Sequence, residues 1–166
     1  MTNMQKLLCG WAVAASLAAL SPSALAAVNC TVSANPVIFS AYNVWNQSPN
    51  NSGVGRVRID CNVGNGGNGN GNGNGNGNSS VSVRLSTGQS NSYALRTMKS
   101  GANTLNYNLY TTTARDVVWG DGTGGSSFLT TGKNDTVTLD VFGQIPAGQD
   151  AAVGDYTDSV TVFVEF

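Results

Sequence analysis

Histidine is absent from this sequence, glutamate occurs once, at Glu165, and only 10% of the residues are charged. Enzymes draw their general bases, activated nucleophiles and metal ligands largely from those side chains. The sequence therefore offers no catalytic residue, no metal site and no cofactor site. Asp155 and Asp158 are the nearest thing to a carboxylate pair, and their setting beside the last apolar segment reads as solvated turn residues. Clustered basic charge is missing too. Arg56, Arg58, Arg84, Arg96, Lys99, Arg115 and Lys133 are scattered in a chain of formal net charge −1, whereas binding a polyanion needs a concentrated basic face, so nucleic acid is excluded as a partner. Helical periodicity is lacking throughout. The Gly-x-Gly spacings come without a following helix or a Gly-Lys-Ser/Thr, which excludes a phosphate loop.

Long apolar runs are scarce after the first 26 residues, and those 26 read as a secretion signal. Lys6 supplies a positive start, Leu7 to Leu20 is apolar, Ser21-Pro22-Ser23 breaks the run, and Ala24-Leu25-Ala26 offers small side chains to a signal peptidase. The expected mature chain is residues 27–166. The run falls short of the ~20 residues that cross a bilayer, so no membrane insertion is expected after signal removal. Cys9 follows Leu8 and lacks a lipoprotein context. Only Cys30 and Cys61 survive processing, and two cysteines in an exported chain read as one disulfide. Closing the roughly 30-residue loop between them disfavours the unfolded chain by about 3 to 4 kcal/mol.

What the mature chain does contain is alternation. Cys30, Val32 and Ala34 alternate with polar residues until Pro36 interrupts, and Val37-Ile38-Phe39 resumes, as in a broken edge strand. Val57, Ile59 and Cys61 share one face of a half-buried strand. Gly64 to Asn78 is almost pure Gly and Asn, too poor in apolar area to offset its ordering entropy. It reads as a flexible loop, an expanded hairpin connection to Val81-Val83-Leu85. Its Asn residues replace the Asp that calcium-binding repeats require. Further strands are expected at Tyr93 to Met98, Leu105 to Tyr110, Val117 to Trp119 and, after the glycine-rich Asp121 to Ser126, around Val137, Leu139 and Val141. The last, Tyr156 to Phe166, has Val160, Val162, Val164 and Phe166 on one face. Seven or so strands over about 140 residues fit an all-β, immunoglobulin-like sandwich. Tyr42, Trp45 and Trp119 lie in or beside turn-like segments and are candidates for surface binding, with core packing as the competing reading for the two tryptophans.

Several features in order resemble the spore coat protein U domain family, which also supplies subunits of archaic chaperone-usher pili. They are Cys30-Thr31-Val32, then Cys61, then Leu105-Asn106-Tyr107-Asn108-Leu109-Tyr110 with Ala114-Arg115. Most specific is the closing run, Val141-Phe142-Gly143-Gln144-Ile145-Pro146 and Gly154-Asp155-Tyr156-Thr157-Asp158-Ser159-Val160-Thr161-Val162. The resemblance implies an incomplete sandwich, missing its final strand, with an apolar acceptor groove walled by Val160, Val162, Val164 and Phe166. A periplasmic chaperone fills such a groove first and a donor strand from a neighbouring pilus subunit later, at an usher, by β-strand addition. The terminal carboxylate of Phe166 would be available to a basic anchor on the chaperone. One departure stands out. Ala27, Val28 and Asn29 alone precede Cys30 in the expected mature chain, and three residues span at most about 10 Å, too little to donate a strand.

The resulting expectation is an exported structural or adhesive subunit, periplasmic in transit and then at the cell surface in a pilus or coat, at the tip or in an accessory position. Two alternatives remain open. One is a self-contained secreted coat or matrix protein whose sheet is closed internally by Val37 to Phe39 or Val117 to Trp119. The other is a surface-binding module acting through Trp45 or Trp119.

Overall fold

Alternating side chains on a pleated strand give one dry and one wet face, and this chain uses that rule nearly everywhere. The computed structural model describes residues 28–63, 80–132 and 136–165; the expected signal, the Asn-Gly tract and Phe166 lie outside the described residues. Eight strands run through them: β1 (Val28–Ile38), β2 (Val54–Val63), β3 (Ser80–Leu85), β4 (Arg96–Ser100), β5 (Asn103–Tyr110), β6 (Leu129–Gly132), β7 (Thr136–Gln144) and β8 (Val162–Glu165). They form a five-stranded sheet in the order β1-β2-β7-β5-β4 and a three-stranded sheet in the order β6-β3-β8. All pairings between named strands are antiparallel.

The core lies between the two sheets. Val57, Ile59 and Cys61 of β2, Leu105, Tyr107 and Leu109 of β5, and Val81, Val83 and Leu85 of β3 are all buried in one cluster, with Met98, Trp119, Val141 and Ile145. Cys30 stands directly opposite Cys61 in the β1–β2 ladder, and their disulfide closes at a Cα–Cα distance of 4.0 Å. The β1 register shifts between Asn35 and Ile38, where Pro36 lacks the N–H that a regular ladder uses.

Several expectations need correction. The Asn-Gly tract cannot join neighbouring strands as a hairpin, because β2 is already flanked by β1 and β7 and β3 belongs to the other sheet; the tract links the two sheets. The final strand is shorter than the alternation implied. Thr157 makes a bridge to Lys99 beside the larger sheet, the Ser86 amide donates to the Thr161 carbonyl at 2.9 Å, and regular pairing begins at Val162 because the chain is crossing between sheets. Val117 to Trp119 makes only isolated bridges, Val118 with Tyr110 and Trp119 with Ser127. Regular pairing of the fourth strand runs from Arg96 to Ser100 rather than from Tyr93. Leu129–Gly132 forms a strand that the sequence reading did not anticipate.

Arg96 holds the sheets together where β8 enters. It is 0% exposed, inward-facing on β4, and stacked 5.3 Å from the Tyr93 ring centroid. Its guanidinium donates to Ser86 O at 2.8 and 3.1 Å, to Trp119 O at 2.7 Å and to Asn108 Oδ1 at 2.6 Å. Burial lowers its pKa from the ordinary arginine value, and carbonyl dipoles stabilise the charge.

Candidate functional site: an open cleft beside the last strand

β8 pairs with β3 on one side only: Val164 faces Val83, and Val162 faces Leu85. No strand lies against its other edge among the described residues. β1 is likewise an edge strand, so the sandwich is open between β1 and β8. The two segments expected to close it internally sit elsewhere: Ile38 pairs with Val54 of β2, and Val118 bridges to Tyr110. From residue 156 to 165 the even-numbered residues are half-buried and the odd-numbered ones exposed. Val160, Val162 and Val164 pack against the core from this open side. Phe166, expected to continue their row, lies outside the described residues.

Between the two edges runs a cleft of about 1190 Å³. One lip is the end of β1 and the segment up to Trp45; the other is the segment from Ala151 to Val162; Leu105, Tyr107, Leu109 and Val141 contribute to its floor. The Phe39 ring packs against the backbone of the larger sheet where Gly143 of β7 and Gly53, just before β2, carry no side chain. A Cβ at Gly143 would come within 2.5 Å of Phe39 Cζ, and one at Gly53 would also collide with the ring. The ring meets Tyr107 edge-on at 6.1 Å between centroids.

At the inner end of the cleft the Tyr107 hydroxyl donates to Asp158 Oδ2 at 2.7 Å. Burial, reinforced by the adjacent Asp158 carboxylate, pushes the Tyr107 phenol far above its ordinary value, so it stays a donor. Asp158 Oδ1 accepts from the Gln89 amide at 3.0 Å and the Ser159 amide at 2.7 Å. Gly88, at φ +65°, is where this carboxylate approaches the backbone, and a side chain there would overlap it. Asp158 is thus a half-buried, hydrogen-bonded group and not the solvated turn residue expected; Asp155 is exposed.

The aromatic candidates separate. Trp119 is 0% exposed and its Nε1–H donates to Val83 O at 3.0 Å. That corrects its assignment to surface binding: it is core, its ring filling the sandwich and its one polar atom paired. Tyr42 is half-buried, with its hydroxyl donating to Pro146 O at 3.0 Å and accepting from the Gln149 amide at 2.9 Å, which ties one lip to the loop after β7. Trp45 is 87% exposed at the cleft mouth, in a turn closed by its own amide donating to Asn43 Oδ1 at 2.9 Å. The structure does not bring the three together. Sequence reasoning missed Arg96 and Asn108 and misread Asp158 as a turn residue. For Arg96 and Asp158 the available signal was a charged side chain at the inward position of an otherwise apolar alternation, whereas Asn108 is out of phase with Leu105, Tyr107 and Leu109 and gave no such signal.

An immunoglobulin-like sandwich stapled by one disulfide, with its last strand unpaired on one side, is the class of fold these features define. The chain belongs to the Spore Coat Protein U domain family, whose model matches residues 15–163. It is 34% identical over 84 residues to Protein U of Myxococcus xanthus, a match covering 49% of this chain and 46% of that protein. Among solved structures it is similar, at a TM-score of 0.51 and 22% identity, to a chain of the chaperone–tip adhesion subunit pre-assembly complex from the archaic chaperone-usher Csu pili of Acinetobacter baumannii. That likeness covers 84% of this chain and 40% of the other. The matches therefore span less than half the length of both relatives.

Proposed function

We propose that this chain is an exported structural or adhesive subunit of a surface pilus or coat that accepts a β-strand from a periplasmic chaperone and then from a neighbouring subunit. The observation that carries this reading is the unpaired outer edge of β8 above an apolar cleft. An extended segment laid there would satisfy the free main-chain groups of β8, while its alternate side chains entered the cleft between Val160, Val162, Val164 and the β1 lip. Family membership supports the reading, as does a fold shared with a chain from a chaperone–tip adhesion subunit complex. An usher follows as the assembly partner. Export rests on residues 1–26 acting as a signal. The tip or accessory position rests on cleavage after Ala26; N-terminal sequencing of the exported protein tests it, and a longer processed N-terminus would make the subunit a donor as well.

Hydrogen exchange on the isolated protein, with and without a co-expressed chaperone, tests strand acceptance. Amides on the outer edge of residues 160–165 are expected to exchange rapidly in the free chain at low concentration, to lose that exchange as raised concentration drives edge-to-edge aggregation, and to gain protection in the complex. A soluble monomer already protected along both edges of β8 would refute the reading and favour a self-contained coat protein. A second reading, adhesion through Trp45, is favoured by that side chain's exposure.

A further inference from the structure

We propose that the cleft discriminates among incoming strands by charge, preferring an extended apolar segment that places a lysine or arginine at the inward position facing Asp158. This rests on the strand-accepting reading and adds a specificity determinant to it. Among the described residues that line the cleft, Asp155 and Asp158 are the charged ones, and neither lysine nor arginine is present. Asp158 occupies an inward place in the half-buried row that continues through Val160, Val162 and Val164. A strand lying along this edge keeps the same two-residue repeat. Its side chains would thus meet three valine positions and then a carboxylate.

That carboxylate is held in place by neutral donors only: the Tyr107 hydroxyl and the Gln89 and Ser159 amides. The Arg96 guanidinium directs its hydrogen bonds to Ser86 O, Trp119 O and Asn108 Oδ1. Among the described residues the Asp158 charge therefore has no hydrogen-bonded cation, and buried Arg96 acts on it only through space. Covering the cleft with an apolar strand strips water from it, which a cationic side chain on that strand would offset and an anionic one would aggravate. Asp155, on the exposed lip, adds the same sign of potential. The occupant is accordingly a segment of a second polypeptide with alternating aliphatic residues and a basic residue one inward position beyond them.

The test uses the full exported chain and synthetic peptides of alternating Val and Thr that differ at one inward position, Lys, Gln or Glu, placed before or after the apolar run so that both strand directions are sampled. The Lys peptide is expected to bind roughly tenfold more tightly than the Gln peptide, with Glu weakest, and the preference should shrink as salt is raised. In Asp158→Asn the Lys preference should disappear while the Gln peptide still binds; if that variant does not fold, the ranking on the unmodified protein and on Asp155→Asn decides. Equal binding of all three peptides would overturn the charge preference and leave strand acceptance standing. Binding of none would overturn strand acceptance itself.

Discussion

Arg96→Met isolates the buried staple between the sheets. Methionine keeps most of the aliphatic volume but withdraws the guanidinium donors from Ser86 O, Trp119 O and Asn108 Oδ1. Asn108 Oδ1 keeps the Leu109 amide at 3.0 Å, whereas the two carbonyls accept from no other group among the described residues. Each stranded buried carbonyl costs about 1–3 kcal/mol, and relief from burying a guanidinium offsets part of that. The expected net loss is about 3 kcal/mol, a large share of the 5–15 kcal/mol that typically stabilises a domain. Arg96→Lys keeps the charge but cannot span three acceptors with one ammonium, so it should lose nearly as much. Urea unfolding of the purified chain from Ala27 onward, which excludes Trp11, in a Trp45→Phe background, so that fluorescence reports Trp119, measures both. A loss below about 1 kcal/mol for Arg96→Met, or full rescue by lysine, would refute the reasoning.

Replacing Cys30 and Cys61 by serine should cost about 3–4 kcal/mol, read as an earlier urea midpoint with a steeper slope, because the unfolded chain without its cross-link exposes more surface. Trp119→Ala should lose about 3–5 kcal/mol through the cavity it leaves, whereas Trp45→Ala should change thermal stability by no more than about 0.5 kcal/mol. Adhesion assays on Trp45→Ala then test the surface-binding reading without a folding defect. Gly143→Ala should destabilise by about 1–3 kcal/mol because the methyl meets the Phe39 ring. Adding Phe39→Leu should recover part of that loss in a double-mutant cycle.

Much of the fold was legible because two-residue alternation is a local signal. Val57, Ile59 and Cys61, and likewise Leu105, Tyr107 and Leu109, face the core as their spacing required, and Pro36 marks the irregularity in β1. What alternation does not carry is which strand lies beside which. The Asn-Gly tract looked like a hairpin loop because the segments on either side are strands, and nothing local reveals that β2 already has two neighbours. Trp119 was ambiguous for a related reason: glycine-rich flanks suggested exposure, but its burial depends on Val83, 36 residues away, accepting its indole proton. Arg96 stayed hidden and Asp158 was read as a turn residue because a charged residue at an inward position is ordinarily a sign of misassigned register, and only the long-range acceptors and donors around each explain it.

The distribution of burial around the sandwich also bears on why the cleft would be filled. Inward residues of β2 and β3 are between 0 and 8% exposed, while inward residues of the two flanking edges, Val37 and Phe39 on one side and Val160, Val162 and Val164 on the other, are only half-buried although they face the same core. Water reaches them because no strand among the described residues bridges β1 and β8, and the hydrophobic effect rewards a segment that removes it at roughly 25 cal/mol per Å² of apolar surface. The disulfide pins the first half of β1 to β2, and Phe39, lodged over Gly53 and Gly143, fixes the second half. With β1 held at both places and β8 held by β3, the lips cannot collapse onto each other without breaking existing ladders, so the apolar surface stays available to a strand from outside.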